Sequence, residues 1–388
     1  MGKFPYEEPV EPNSVGMNGR KLNQAVSKFR NQNSSGVFPG GQLVVRRQGK
    51  LVINEVCGVG RGWRKEEGIT PLQVQPDTPF VGLSAGKPIA AVAIAMLEER
   101  GVLEAETPIA EWIPGFEIYG KGDITILDVL THRTGLELPD LIASREIWHD
   151  REALLHQLIE AKPVYPRGTK AYAAFEYGWL LSEIVWRAAG LSLTDFISDE
   201  ISAPLQLPAL QYGLSGRGLD SLAYTYWLGG EKVIVSGINV AEGFEEKNNS
   251  LVQLNSMNPA VSLVTDAASL AGFYEFLVQG GVTQSGDRLI SEEIIGKYTK
   301  RHVSEIDRSS RTPGSFGRGF MVGSRFLSLF GWWGTEACFG HAGGFSSLGF
   351  GDHETGIAVG IMTNGNRDFF DLLRRFLPLS QKLRKACK

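Results

Sequence analysis

The stretch that decides the fold is Gly82-Leu83-Ser84-Ala85-Gly86-Lys87, because two patterns of nucleophilic serine overlap on it. Ser84 begins a Ser-x-x-Lys pattern that ends at Lys87, and it is also the central residue of Gly-x-Ser-x-Gly. No other serine in the sequence fits either pattern. Both patterns are short, and the alternative interpretation is an ordinary helix start with Ser84 as its cap and Lys87 in solvent.

The chemistry of these residue types favours a nucleophile. Residues three apart share one face of a helix, so the Lys87 amine can reach the Ser84 hydroxyl. A serine hydroxyl needs a base before it can attack, and a lysine becomes one when burial or a neighbouring cation lowers its pKa. The Ser84 N–H, at a helix N-terminus, can also face a developing oxyanion.

The surrounding segments separate the two folds that these patterns imply. The hydrophobic spacing predicts a helix over residues 18–33 and a hairpin over 42–47 and 51–57 before Ser84. After it, the same analysis predicts helices over 84–101, 126–131, 151–160, 177–189 and 193–202. Short strands are predicted late, over 339–341, 347–352 and 356–363, followed by a helix over 367–385 that is interrupted at Pro378. The Gly-x-Ser-x-Gly pattern needs alternating strands and helices, so the Ser-x-x-Lys interpretation fits better.

This order of elements predicts an α+β fold in which the two chain ends build one antiparallel sheet flanked by helices, with an all-helical domain inserted. We expect residues 1–78 and 256–388 to form the sheet-containing domain and residues 79–255 to form the mainly helical one. The chemistry should lie where the two domains meet.

Composition and charge narrow the class of partner. The chain has 388 residues, 39 Lys and Arg against 43 Asp and Glu, and a net charge of -4. Without a long basic run, nucleic-acid binding has no electrostatic basis. The N-terminus lacks the apolar segment of a signal peptide, and the longest apolar stretch, 88–97, is too short to span a bilayer. The sequence therefore predicts a cytoplasmic protein with a small-molecule partner and no membrane partner, and it leaves the oligomeric state open.

Neither a metal nor a cofactor is predicted. The three cysteines, Cys57, Cys338 and Cys387, are too widely spaced for a disulfide framework or a metal knuckle. The histidines lack the spacing of metal ligands, and the glycine-rich stretches 314–319 and 340–344 lack the ending of a phosphate loop.

Further motifs give the chain a resemblance to a known family. Residues 124–136, ITILDVLTHRTGL, are similar to the LLTHTSGL stretch of class C β-lactamases and penicillin-binding-protein-like serine hydrolases. Residues 166–174 resemble the family's P-G-T-x-x-x-Y-S-N region, with an extra Arg167 and with Ala174 in place of Asn. Residues 341–344 resemble its K-T-G or H-T-G strand. The resemblance covers most of the chain, points to the esterase branch called family VIII carboxylesterases, and implies the β-lactamase/transpeptidase-like fold.

The resemblance also implies roles for particular residues. Ser84 would be the nucleophile, Lys87 and Tyr172 would transfer protons, and the N–H groups of Ser84 and Gly344 would form the oxyanion hole. The Lys87 cation is expected to lower the phenol pKa of Tyr172 towards the working range. The side chains expected to line the substrate site are His341, Ala342, Gly343, Ala174, Trp332 and Trp333. For the two tryptophans, core packing is an equal alternative.

The resulting prediction is a serine hydrolase that cleaves carboxylic esters, with short acyl chains, through a Ser84 acyl-enzyme. The enzymatic alternatives are hydrolysis of β-lactams or amides and acyl transfer to an acceptor other than water. The alternative outside enzymes is a catalytically silent binding or scaffold protein. The presence of Ser84, Lys87 and Tyr172 together argues against silence.

Overall fold

The two ends of the chain pair side by side in one sheet, as the sequence predicts. The computed structural model describes residues 4–235, 238–256 and 258–387. Strand Gly40–Arg47 pairs antiparallel with Ile357–Thr363, in a register that runs from Gly41 opposite Thr363 to Arg47 opposite Ile357. This confirms the predicted mixture of helices with an antiparallel sheet built from both termini.

The central sheet has nine strands, all antiparallel to their neighbours. They are β1 (Gly40–Arg47), β2 (Lys50–Arg61), β3 (Leu72–Gln73), β4 (Val303–Ile306), β5 (Pro313–Phe316), β6 (Met321–Val322), β7 (Cys338–Gly343), β8 (Ser347–Asp352) and β9 (Ile357–Thr363). Their order across the sheet is β4-β5-β6-β7-β8-β9-β1-β2-β3.

Among the described residues, the helices of eight residues or more are α1 (Gly19–Ser34), α2 (Lys87–Glu99), α3 (Arg151–Glu160), α4 (Glu176–Ala189), α5 (Ala267–Val278), α6 (Glu292–Thr299) and α7 (Phe369–Ala386). Shorter helices span Ile109–Trp112, Ile126–Leu130, Pro139–Ala143, Leu193–Ile197, Phe244–Asn248 and Leu251–Leu254. Small sheets pair Phe80–Val81 and Gln211–Tyr212 with Leu263–Thr265, Tyr226–Trp227 with Gly365–Asn366, Ile234–Val235 with Ile238–Asn239, and Phe326–Ser328 with Gly331–Trp333.

Each face of the sheet is covered by helices, which explains why its central strands are buried on both sides. Helix α5 packs on the inner face against β9, β8 and β1, and its residues from Ala267 to Leu277 are all buried. Helices α1 and α7 pack together on the outer face, where apolar side chains such as Phe29 and Phe376 form a separate core cluster. The hairpin of residues 326–333 packs against α7, and together with α1 and α7 it forms the outer layer.

Helix α7 differs from the prediction, because it continues through Pro378. Proline lacks the N–H that would bond to the carbonyl four residues earlier, so a break was expected. The Gln32 side chain of α1 donates to the Arg375 carbonyl in this turn, at 3.2 Å. Packing against α1 and the sheet therefore holds both halves of α7 in one helix.

The inner helices carry the site. Helix α2 is buried along its whole apolar length, from Lys87 to Leu97, and packs against α4. The proposed domain boundaries, 1–78 with 256–388 and 79–255, stay a prediction. Among the described helices, none combines the length and the apolar character needed to cross a bilayer.

Candidate active site

Ser84 lies in a rigid turn that leads directly into α2. The residues Leu83–Gly86 form a 3-10 turn, and α2 begins at Lys87. Leu83 has a φ of +48°, a left-handed conformation that is costly for a residue other than glycine. The Gly82 N–H donates to the Leu263 carbonyl at 2.8 Å, which fixes the turn to the neighbouring strand. The fold thus holds Ser84, half-buried, at a strained junction between a strand and a helix.

Lys87 contacts Ser84 as the spacing predicts. Its Nζ is 3.1 Å from Ser84 Oγ and 2.9 Å from the Ala174 carbonyl oxygen, and the residue is fully buried. Burial lowers the pKa of Lys87 to about 7; the charge of Glu176 opposes this shift and the charge of Lys170 adds to it. An amine with this pKa is partly unprotonated at neutral pH, so it can accept a proton from the serine.

A turn far along the chain also holds the Ser84 hydroxyl. Ser84 Oγ donates to the Ala260 carbonyl at 3.2 Å. The Ala260 N–H donates to Asn258 Oδ1 at 2.9 Å, and Asn258 Nδ2 donates to the Phe175 carbonyl at 3.1 Å. Asn258 therefore links the start of α4 to the carbonyl that contacts the serine. The sequence analysis missed it, since a single asparagine carries no motif.

Tyr172 joins the same cluster. Its phenol is hydrogen-bonded to the Ser84 side chain, and its ring centroid is 4.9 Å from Lys87 Nζ. Burial raises the pKa of Tyr172 above its ordinary value, against the opposing effect of the Ser84 hydrogen bond. The expectation of a lowered pKa is wrong, because burial of the phenol raises this pKa and the charges of Asp307 and Glu176 act in the same direction. The phenol is therefore protonated at neutral pH.

His132 supports the Tyr172 ring from behind. The two ring centroids are 4.6 Å apart, and His132 Nδ1 accepts a hydrogen bond from the Ala173 N–H at 3.1 Å. Burial lowers the pKa of His132 well below its ordinary value, so the ring is neutral. The sequence analysis considered this residue only as a metal ligand, although it belongs to the THRTGL motif.

A buried ion pair lies on the other side of Tyr172. Lys170 Nζ is 2.9 Å from Asp307 Oδ2, and both side chains are buried. The same ammonium is 5.8 Å from the Tyr172 ring centroid and 4.1 Å from that of Phe316. Asp307 follows β4, so this pair joins the helical part of the chain to the sheet beside the site. Lys170 occupies a variable position of the motif at 166–174, and no motif links it to Asp307, which is 137 residues away.

Glu176, at the first turn of α4, is a second buried acid that the sequence analysis missed. It is 2% exposed, and its Oε2 accepts a hydrogen bond from the Phe175 N–H at 3.2 Å. Burial raises the pKa of Glu176 to about 7, and the Lys87 charge opposes that rise. The cluster thus contains two titratable groups of opposite charge whose pKa values meet near neutrality.

His341 is buried on β7 and faces this cluster. Its ring centroid is 6.2 Å from that of Tyr172, and its Nδ1 donates to the Ala342 carbonyl at 2.6 Å. Its Nε2 is buried and has no hydrogen-bond partner among the described residues. Burial lowers the pKa of His341 to about 3, with the Lys87 charge acting in the same direction. The imidazole is therefore neutral and leaves one nitrogen available to accept a hydrogen bond.

Gly343, at the end of β7, and Gly344 after it allow this strand to lie against the turn that carries Ser84. A Cβ at Gly343 would lie 1.7 Å from the Gly82 carbonyl oxygen, so only glycine permits this approach. Ser347 Oγ donates to the same Gly82 oxygen at 2.9 Å. Gly344 has a φ of +53°, and its N–H makes no hydrogen bond within the described part of the chain. An unpaired amide next to the Ser84 turn is suited to bind an oxyanion.

The remaining predicted residues contribute differently. Ala174 contacts Lys87 through its backbone carbonyl. Because neighbouring residues of a strand point to opposite faces, the Ala342 side chain packs into the outer core cluster, away from His341.

Trp332 and Trp333 are not brought to Ser84. They lie in the 326–333 hairpin, where the Trp332 N–H donates to Gln381 Oε1 of α7 at 2.8 Å. This hairpin is on the outer side of the sheet, and the two side chains are 47% and 63% exposed. Trp332 and Trp333 therefore neither line the substrate site nor pack in the core, which were the two expectations for them. Among the described residues, no group of three or more His, Cys, Asp or Glu side chains could hold a metal ion.

The chain is similar to known proteins of one family along most of its length. The Beta-lactamase family model matches residues 23–380. The chain is 27% identical over 349 residues to the esterase/beta-lactamase LipL of Mycobacterium tuberculosis, covering 84% of this chain and 77% of that protein. A penicillin-binding protein homologue from Caulobacter crescentus superposes with a TM-score of 0.81 at 24% identity, covering 96% of this chain and 99% of that one. A family VIII carboxylesterase superposes with a TM-score of 0.78 at 21% identity, covering 96% and 98%.

The two structural likenesses establish the fold, and the family match extends over nearly the whole sequence. With the strand-to-helix turn at Ser84, a buried lysine beside the serine and a glycine-rich strand against both, the chain belongs to the beta-lactamase family, as a serine hydrolase of that superfamily.

Proposed function

We propose that the protein is a carboxylesterase that works through an acyl-enzyme on Ser84. The hydroxyl of Ser84 attacks the ester carbonyl, and the neutral Lys87 amine, 3.1 Å away, takes its proton. The support for this assignment of the base is the burial that lowers the pKa of Lys87 to about 7. Tyr172 is the less suitable base, because burial raises its pKa.

Tyr172 then has the role of a proton donor. As the tetrahedral intermediate collapses, the alkoxide of the alcohol leaves and takes the phenol proton, which the Lys87 ammonium replaces. Both groups contact the side chain of Ser84, which supports a relay between them. In the second half of the reaction, Lys87 takes a proton from water and the hydroxide attacks the acyl-enzyme. The Ser84 oxygen then leaves and takes that proton back from the Lys87 ammonium, which restores the free enzyme.

The oxyanion hole is proposed to consist of the Ser84 and Gly344 N–H groups. The close contact of Gly343 with the Gly82 carbonyl keeps Gly344 beside the Ser84 turn. The free Gly344 N–H supports this role, since a donor that is already unpaired needs no reorganisation to bind a developing charge.

One observation favours esters over β-lactams: the basic side chains seen against the Tyr172 ring offer no free cation. His341 is neutral, Lys170 is paired with Asp307, and Lys87 is needed as an amine. A β-lactam substrate carries a carboxylate that a cation would hold, whereas a simple ester does not. Each missing polar contact costs about 1–3 kcal/mol in the transition state. Esters are therefore the substrates that this site suits best.

The test compares two substrates on one preparation of enzyme. We expect kcat/KM for p-nitrophenyl acetate to exceed that for nitrocefin by at least about a hundredfold, because two contacts are missing: the cation, and the amide side chain of the resembled motif, which is replaced by Ala174. Ser84→Ala provides the blank for both, and peptide mapping after a phosphonate inhibitor should locate the adduct on Ser84. Comparable values for both substrates would overturn the ester assignment and favour β-lactam hydrolysis.

Short acyl chains are part of the same proposal. The rings of His132, Tyr172, Phe316 and His341 pack on one another beside Ser84 and limit the room for an acyl group on that side. A series of p-nitrophenyl esters should give its highest kcat/KM at acetate or butyrate. A maximum at dodecanoate would contradict the proposed chain length and leave the esterase assignment intact.

A further inference from the structure

The outer layer carries a positive charge that contrasts with the rest of the chain. Residues 19–34 and 369–386, the two helices α1 and α7, contain nine Lys and Arg residues and one acidic residue, Asp371. The whole chain has a net charge of -4. Three of the nine, Arg30, Arg375 and Arg384, are paired with carboxylates. The other six have no ion-pair partner among the described residues and form a local basic surface that the overall charge conceals.

A shallow groove of about 710 Å³ runs along α1, and one residue of α7, Lys382, also lines it. The residues that line it are three cations, Arg20, Lys28 and Lys382, together with four side-chain amides and two serines. No acidic side chain lines the groove, and no described carboxylate pairs with these three cations. Cations surrounded by amide and hydroxyl donors match the chemistry of phosphate oxygens.

The hairpin on the other side of α7 adds exposed apolar side chains. Phe326, Leu327, Trp332 and Trp333 are between 47% and 63% exposed. Trp332 is hydrogen-bonded to Gln381, the residue next to Lys382 of the groove. The hairpin and the groove therefore flank the same helix. Tryptophan beside cations is the combination found where proteins enter the headgroup region of a membrane.

From this combination we propose that the outer layer docks the protein on the surface of an anionic bilayer. Lipid phosphates would occupy the groove, and the hairpin would insert its four apolar side chains at the level of the headgroups. This contact needs no spanning segment, so it is compatible with the helices described above. It revises the expectation of no membrane partner, which rested on the absence of such a segment. A nucleic acid would satisfy the cations but would leave Leu327 without a role.

Vesicle co-sedimentation of the full chain tests the proposal. We expect binding to vesicles of phosphatidylglycerol mixed with phosphatidylcholine, weakening as salt rises, and little binding to phosphatidylcholine alone. The variant Arg20→Gln/Lys28→Gln/Lys382→Gln should lose roughly a hundredfold in partition coefficient, on the order of fivefold for each cation. The matched control, Lys65→Gln/Lys162→Gln/Arg301→Gln, removes two lysines and an arginine from exposed positions outside the outer layer and should bind normally.

The hairpin has its own readout. Lipids brominated in the acyl chain should quench tryptophan fluorescence, and Trp332→Ser/Trp333→Ser should abolish that quenching while its unfolding temperature stays normal. The proposal would be overturned if the matched control lost binding as much as the groove variant, or if the protein did not bind anionic vesicles at low salt. It would also be overturned if duplex DNA were bound as tightly as the vesicles and Trp332→Ser/Trp333→Ser did not change that DNA binding.

Discussion

At the scale of single residues, Lys87 combines a cost in stability with a role in catalysis. Burial opposes its charge, so between the folded pKa of about 7 and the unfolded pKa of 10.5 the unfolded chain binds more protons than the folded one, and the cost is full below that range. Replacing it removes this cost together with the base. We expect Lys87→Met to lower kcat by at least about a hundredfold and to raise the melting temperature at pH 7. Both are measured on purified protein with a p-nitrophenyl ester and by thermal unfolding.

A second buried lysine provides the control. Lys121 is fully buried, and its ammonium donates to the carbonyls of Leu158, Ile159 and Ala161. Lys121→Met should lower the melting temperature, because each unpaired buried carbonyl costs about 1–3 kcal/mol, and should leave kcat of the folded enzyme normal. Near-normal kcat in Lys87→Met would contradict its role as the base.

The pH dependence of the reaction is set by the same amine. Since the base must be unprotonated, kcat/KM should rise with pH through an inflection near the Lys87 pKa of about 7. The Lys170 charge helps to lower this pKa, so Lys170→Met should move the inflection to higher pH. Lys170→Arg keeps the cation and should leave the inflection in place. An unchanged inflection in an active Lys170→Met enzyme would show that Lys170 only packs against Phe316.

At the scale of elements, the contact between β7 and the nucleophile turn is the most sensitive. A methyl group at residue 343 would collide with the Gly82 carbonyl and with Ser347 Oγ, at 1.7 and 2.3 Å. Gly343→Ala must therefore push β7 away from Ser84. We expect a loss in kcat/KM of at least about a hundredfold, the scale for a displacement of ~1 Å at a reacting centre. Ester hydrolysis assays with circular dichroism as a check on folding measure this.

Helix α6 contains a glycine whose replacement by alanine is a control for Gly343→Ala. Nothing lies within 4 Å of a Cβ built at Gly296. Gly296→Ala should therefore stabilise the protein by roughly 0.5–1 kcal/mol through helix propensity and leave kcat/KM unchanged. If Gly343→Ala were as active as Gly296→Ala, the close contact would have no part in the oxyanion hole.

The elements also show what the sequence could predict. The sequence pattern predicted strands that are buried on both faces and helices that have one apolar stripe. Examples are the hairpin of β1 and β2 and helix α3, which lie close to their predicted residues. Helix α5 was not predicted, because its surface is apolar all round and leaves no period to read. Strands β4 to β6 were missed because they are only two to four residues long and lie towards one edge of the sheet, where they are partly exposed.

The residues of the candidate site also include some that the sequence predicted and some that it did not. Ser84, Lys87 and Tyr172 were predicted from motifs, and the structure brings their side chains together. Lys170 pairs with Asp307, and Asn258 reaches the start of α4, only in the folded chain, so the local sequence does not show these contacts. Trp332 was placed near His341 by its position in the sequence. The loop between the hairpin and β7 instead leaves it on the outer side of the sheet.

At the scale of the whole molecule, the sheet is a wall shared by two core clusters. Neighbouring residues of β9 contribute to different clusters: Ala358 and Met362 to the inner one, Val359 and Ile361 to the outer one. If one core cluster unfolds, the strands that also bury the side chains of the other cluster become exposed to water. This arrangement indicates that the inner helices and the outer layer unfold together.

The buried pair of Arg384 on α7 and Asp352 on β8 tests that cooperativity. Arg384 Nε is 2.7 Å from Asp352 Oδ2, and removing the arginine leaves a buried carboxylate unpaired. We expect Arg384→Met to lower the free energy of unfolding by about 3–5 kcal/mol. Although the substitution is in the outer layer, hydrogen exchange followed by mass spectrometry should accelerate equally in β9 and in α4, which packs on the inner side. Faster exchange confined to α1, α7 and the hairpin would mean that the outer layer unfolds by itself, and that the sheet does not couple the two clusters.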